Sequence, residues 1–251
     1  MSKHVSILLL LIGLTTTCLG QKTFILSLQD KRGFVAVTAG GNMPIGEFGS
    51  RTSPDQKAGM AAPGLTLSVS AGFRALERFG LMAQATQHRN AIQTDALLGA
   101  VYHAATDVWT VKADNWNITT FMAGPYITVP KGRFSIDGHL LAGWAQATMP
   151  NTAMAGTIGT TTMSVQTTGS QTGGLAFGAG AGLRYRLCPD LSATINAEYS
   201  YSQLTFNNLT SRAVSSNGVS ESLPYSSDRQ IGLVSVSVGL AFLFGNSNRP
   251  F

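Results

Sequence analysis

Apolar and polar side chains alternate strictly over eight stretches of this chain. The first stretch is Gly33 to Gly41. From Gly64 to Arg74, Leu65, Leu67, Val69, Ala71 and Phe73 share one face, and Thr66, Ser68, Ser70, Gly72 and Arg74 share the other. Phe79 to His88 repeats the pattern, as do Trp116 to Val129 and Phe134 to Ala147. Gly173 to Leu187 sets Leu175, Phe177, Ala179, Ala181, Leu183 and Tyr185 against glycines and Arg184. Leu191 to Ser202 and Arg229 to Phe244 complete the set. A period of two is what a sheet with two unlike faces requires.

The connections follow their own rhythm. Tight turns are predicted at residues 75–78, 130–133 and 188–190, and long polar loops at about 42–63, 90–115, 148–172 and 207–228. Short turns on one rim and long loops on the other are the arrangement of a membrane-spanning barrel. Each stretch has the ten or so residues that a tilted spanning strand needs. The expected fold is therefore all-β: an antiparallel up-and-down transmembrane β-barrel of eight strands, with short periplasmic turns and long extracellular loops. Phe24 to Leu28 could add a strand and bring the number to ten, and Asp95 to Tyr102 could form a short helix inside the second loop.

Composition supports this reading. Charged residues make up 12% of the chain, about half the share usual for soluble domains. The polar face carries Ser, Thr, Asn, Gln and Gly rather than Lys and Glu, which suits a narrow lumen packed with side chains. A closed sheet satisfies every backbone group within a bilayer, which an open one cannot. The apolar face would then meet lipid. The net charge of +5 is spread without a Lys/Arg run, so nucleic acid is not an expected partner.

The first twenty residues read as an address: Lys3 and His4, an apolar run from Val5 to Leu14, then Cys18-Leu19-Gly20. Cleavage is expected after Gly20, leaving residues 21–251 as the barrel domain. Cys18 lacks an aliphatic residue three positions upstream, which argues against lipid attachment. Once it is removed, Cys188 is the only cysteine, and no internal disulfide is expected.

The stretch Ala39-Gly40-Gly41-Asn42-Met43-Pro44-Ile45-Gly46-Glu47-Phe48, the triplet Gly124-Pro125-Tyr126 and the closing Val236 to Phe244 resemble the small outer-membrane protein β-barrel domain family, the OmpA/OmpX-like barrels. The last of these resembles the aromatic-ended signal that the barrel-assembly machinery reads in a final strand. The resemblance implies the eight-stranded barrel, a bacterial outer-membrane location, and that machinery as a partner during biogenesis. It implies little about activity.

Two sets of residues carry candidate roles. Arg74, Asp137, His139, Arg184 and Glu198 share the polar parity, and an unpaired charge in a dry lumen is costly. A charge network is expected, with Arg74 and Arg184 meeting Asp137 and Glu198 and fixing barrel closure. Phe73, Phe79, Phe134, Tyr185, Phe242 and Phe244 near the short turns form two interfacial belts with Trp116, Trp144 and Tyr201 toward the long loops. No catalytic, cofactor or metal set is visible. His88 is followed by Arg89-Asn90 rather than by a nearby Ser that it could activate. The expected function is non-enzymatic, a structural, adhesive or binding role for an extracellular ligand the sequence does not identify. The alternatives are a secreted lipocalin-like barrel, a lipid-modifying enzyme and a narrow channel.

Overall fold

The computed structural model describes residues 31–52, 57–101, 108–158, 161–218 and 220–246. The leader, its cleavage site, Cys18 and the possible strand at Phe24 to Leu28 lie outside these residues. Eight long strands build the wall: β1 (Lys31–Ile45), β2 (Ala61–Arg74), β3 (Phe79–Ile92), β5 (Trp116–Lys131), β6 (Phe134–Thr148), β9 (Gln171–Cys188), β10 (Leu191–Ser215) and β11 (Ser220–Asn246). Three short strands and one helix lie between them: α1 (Thr94–Val101), β4 (Val108–Ala113), β7 (Thr152–Ile158) and β8 (Thr161–Thr168).

All pairings are antiparallel, and the wall closes on itself. β11 pairs with β1 on one edge and with β10 on the other, so that Leu240 has Val37 on one side and Ala193 on the other. Among the described residues the barrel wall has eight strands. The three tight turns fall where the sequence places them. Gly132 sits at φ 63 in the turn between β5 and β6, a left-handed conformation that glycine adopts without steric cost.

The face assignment decides between the sequence alternatives. The apolar row points outward: Leu65 is 73% exposed, Leu81 69%, Leu140 65% and Val238 57%. Thr38, Ser68, Ser70, Gln84, Thr86, Thr194 and Ser237 point inward and are buried. A lipocalin-like barrel needs the reverse, with its apolar row inside, and that alternative fails here.

The opposite rim departs from expectation, because three of the four connections expected to be loops are built largely of regular elements. The helix expected near Asp95 is present as α1. The stretch expected as a loop at 207–228 instead continues β10 and β11 as a hairpin well beyond the barrel. β9 stops accompanying β10 at Ser202, which leaves the far edge of β10 open. β8 takes that edge from Thr210 to Ser215, β7 pairs with β8, and β4 pairs with β7. An open edge with unpaired amides is a template for another strand, and the β-branched residues of Thr161–Thr168 fit one.

A change in β11 tests where the hydrocarbon lies. Val238→Arg, at the middle of the outward row, is expected to cost about 2–4 kcal/mol of folding stability in lipid vesicles. Leu223→Arg, on the distal hairpin and 57% exposed, is expected to change it little. Urea titration of folding, read by gel mobility, measures both. Equal costs would place the hairpin in the membrane as well.

Candidate functional site in the lumen and at its mouth

The inward row fills the lumen in tiers. At the short-turn end, the Phe34 and Tyr126 rings meet edge to face at 5.6 Å, and the Arg184 guanidinium lies 4.6 Å from the centre of the Phe34 ring. Gly72 faces this tier, and a Cβ there would come within 2.4 Å of the Phe34 ring. Arg184 lies diagonal to Asp137 across the β6–β9 ladder, since Arg184 opposes Ser135 and Asp137 opposes Gly182. The two form a bidentate pair, with Nε and Nη2 donating to the two carboxylate oxygens at 2.6 Å each. Arg74 sits nearer the rim and donates to the carbonyls of Lys31 at 2.6 Å and Glu77 at 3.0 Å.

The next tier holds Glu198 and His139. Glu198 accepts a 2.6 Å hydrogen bond from Gln84, and its Oε2 lies 4.0 Å from His139 Nε2. Gly180 opposes both residues, one on each neighbouring strand. A Cβ at Gly180 would lie 2.5 Å from His139 Nε2, so glycine makes room for the imidazole. The five predicted lumen residues thus fall into separate groups: Arg184 with Asp137, His139 with Glu198, and Arg74 on rim carbonyls. The ladder register decides which of these side chains can reach each other across neighbouring strands. A void between these tiers and another at the short-turn mouth hold about 30 Å³ each, roughly one water apiece.

Toward the distal rim, Asn90 donates to Asn42 Oδ1 at 2.5 Å and to the Ala62 carbonyl at 2.8 Å. His88 is buried beside this pair, and neither ring nitrogen has a hydrogen-bond partner. Above it the lumen turns apolar. Trp116, Phe48, Phe206, Leu204, Leu209 and Ile118 are each no more than 1% exposed and form a cap across the mouth. Trp116 meets Phe48 at 5.3 Å and Phe206 at 5.9 Å, both edge to face, and its indole N–H donates to the Gly59 carbonyl at 3.1 Å. Trp116 therefore leaves the outer belt expected for it. It shares the inward parity of Ile118, Thr120 and Met122 on β5. A bulge in β10 at Asn208, φ 59, lets Phe206 and Leu209 both point inward.

Trp116 of the cap forms the floor of an open cleft of about 650 Å³. Its walls come from the β1–β2 connection, α1, the β6–β7 connection and the β10–β11 hairpin, including Met60, Ile92, Leu97, Met149, Tyr225 and Arg229. No motif marked these residues in the sequence; only their convergence in the closed barrel brings them together. On the outer face, Phe73, Phe79, Phe134, Phe242 and Phe244 stand exposed toward the short-turn rim. Phe134 packs on Tyr185 at 4.9 Å, and Trp144 and Tyr201 lie toward the other rim. Cys188 is buried at the end of β9, and Cys18 lies outside the described residues.

A closed sheet with hydrocarbon-compatible side chains outside and a packed polar interior defines an integral membrane β-barrel. The family model described as "Outer membrane protein beta-barrel domain" matches residues 16–247, and the chain belongs to that family. It is a bacterial outer-membrane protein, with membrane lipid as its surroundings. No curated protein matches it. Similar solved structures include Neisserial surface protein A, at 13% identity and TM-score 0.44, covering 84% of this chain and 97% of that one. Another is Ail, the attachment invasion locus protein of Yersinia pestis, at 14% identity and TM-score 0.42, covering 84% and 99%. A third is the outer membrane protease OmpT from Escherichia coli, at 7% identity and TM-score 0.44, covering 85% and 97%.

The Arg184–Asp137 pair has a measurable weight. Its side chains are 12% and 15% exposed, so breaking it strands a charge that is largely cut off from water. Asp137→Asn is expected to destabilise the folded barrel by about 3–5 kcal/mol, and Asp137→Leu combined with Arg184→Met by clearly less. Equilibrium unfolding in vesicles compares them. A double variant as unstable as the single would show that the pair is not the unit of stability.

Proposed function

We propose that this protein is a non-enzymatic, non-conducting barrel that binds a partner at the cell surface through its folded distal region. The observation that carries the reading is the sealed lumen beneath an ordered outer platform. The void between the polar tiers and the one at the short-turn mouth are water-sized, the aromatic cap covers the other mouth, and the β10–β11 hairpin carries β8, β7 and β4 beyond the wall. Binding residues usually sit on connections held by a rigid scaffold, and here the connections are themselves stiffened by sheet pairing.

The charge groups in the lumen act as a structural plug in this reading. The exposed aromatics at both rims anchor the barrel at the two membrane interfaces. β11, with alternating Val236, Val238, Leu240, Phe242 and Phe244 near its end, supplies the signal for the barrel-assembly machinery.

Planar-bilayer recording of the full chain is expected to show no unitary conductance steps. Lipid extracts from expressing cells are expected to match those of cells without it. Replacing residues 152–168 by a short Gly-Ser connection is expected to remove adhesion of expressing cells to a matrix-coated surface while the heat-dependent gel shift persists. Conductance steps, or an altered acyl pattern abolished by His88→Ala, would overturn the reading.

A further inference from the structure

The cleft over the aromatic cap has the features of a small-molecule site. Its volume of about 650 Å³ lies within the range of roughly 300–1,000 Å³ common for ligand pockets. Its walls are mainly apolar, with Met60, Ile92, Leu97 and Met149 around Trp116. The indole N–H of Trp116 is already bonded to Gly59, so the ring offers the cleft only apolar surface. The ionisable side chains among the lining residues are Arg51, Tyr225 and Arg229.

Arg229 is the unusual member. It is 9% exposed, one terminal nitrogen donates to the Ala58 carbonyl at 2.7 Å, and its buried Nε has no hydrogen-bond partner. A guanidinium has five donors, and a buried one left unfilled is costly. Glu47 and Tyr225 are the ionisable groups near enough to act on its charge. Glu47 is not among the lining residues, and its own buried Oε2 lacks a hydrogen-bond partner, so it attracts Arg229 without filling that donor. Arg51 stands at the exposed lip, bonded to Gln93 at 2.6 Å and 4.0 Å from Asp95. Met60 holds a left-handed backbone, φ 50, fixed by bonds from its N–H to Ser50 and to its carbonyl from Gln93. Non-glycine residues keep such conformations where the surroundings over-determine them, and these gather at ligand sites.

We propose that this cleft binds an amphipathic carboxylate: a hydrocarbon body lies along Met60, Ile92, Leu97 and Met149 over Trp116, and the carboxylate pairs with the Arg229 guanidinium at the cleft wall. A planar carboxylate matches the guanidinium fork in a way that a neutral ester or alcohol cannot. The inference deepens the binding role proposed above and rests on it for the sealed floor.

The test is quenching of tryptophan fluorescence by a bromine-labelled hexadecanoic acid, with the full chain in lipid nanodiscs. A background of Trp109→Phe and Trp144→Phe leaves Trp116 as the reporter, because Trp144 faces lipid and Trp109 lies on β4 outside the cleft lining. Saturable quenching is expected for the acid, with the methyl ester binding roughly ten- to a hundredfold more weakly, the range for losing a charged hydrogen bond. Arg229→Gln is expected to bring the acid down to the affinity of the ester while leaving the ester unchanged. If Arg229→Gln fails the gel-shift check for folding, Leu97→Glu takes its place: it puts a negative charge on the cleft wall and is expected to abolish binding of the acid. Equal binding of acid and ester, non-saturating quenching, or wild-type acid affinity in these variants would overturn the proposal. Such a result leaves the sealed barrel standing, whereas conductance steps alongside saturable acid binding would sink the sealed-barrel reading and spare the cleft.

Discussion

Hydrocarbon offers no hydrogen bonds, so every backbone N–H and C=O crossing the membrane must be paired within the protein. That requirement explains why the sheet closes and why β11 carries two partners along its length. It also explains the outward row. Once the amides are paired laterally, side chains have only two directions, and the period of two sends Leu65, Leu81, Leu140 and Val238 to lipid and Ser68, Gln84 and Thr194 to the interior. In a soluble sheet the apolar row would be the core. Here it is the solvent-facing surface, and the solvent is lipid.

Closing eight strands leaves an interior only wide enough for side chains. The lumen accordingly mixes bulk with absence of bulk. Gly72 yields to Phe34 and Gly180 to His139, while Arg184 reaches across one ladder to Asp137. Near the mouth the walls no longer need a polar filling, because the β1–β2 connection folds inward and brings Phe48 onto Trp116. The interior therefore changes character along its axis, from charged to neutral polar to aromatic, and the open cleft begins where the aromatic layer ends.

Much of this was legible in the linear pattern. Strand positions, tight turns and the outward face follow from alternation, since lipid and lumen impose opposite demands on successive residues. The shared interior side of Arg184 and Asp137 was legible from parity; which arginine meets which acid was not. Other features were not. Trp116 looks like an interfacial aromatic, and only its parity with Ile118 and Met122 within β5 sends it inward. The strands of the distal sheet are rich in Thr, Ser and Gly on both faces, so they carry little alternation to detect. Arg74 shared the polar parity, yet its height near the rim sets it on main-chain carbonyls. Arg229 lay at the edge of a segment read as loop, and nothing local marks it as buried. Residues that matter through convergence, such as Met60, Leu97 and Met149, become visible only once the wall is closed.

The seam between β1 and β11 joins Lys31 to Asn246, nearly opposite ends of the described chain. Such a contact has extreme sequence separation, and the entropy of bringing its ends together must be met before the seam returns any stability. Hairpins such as β2–β3 and β5–β6 can pair early, because few residues separate their strands. The cylinder cannot exist until the final strand arrives and finds the first. Each intermediate before that moment is an open sheet with two raw edges, competent to pair with a neighbour copy as readily as with itself. Insertion is thus a race between one intramolecular stitch and every intermolecular one, and β11 decides it.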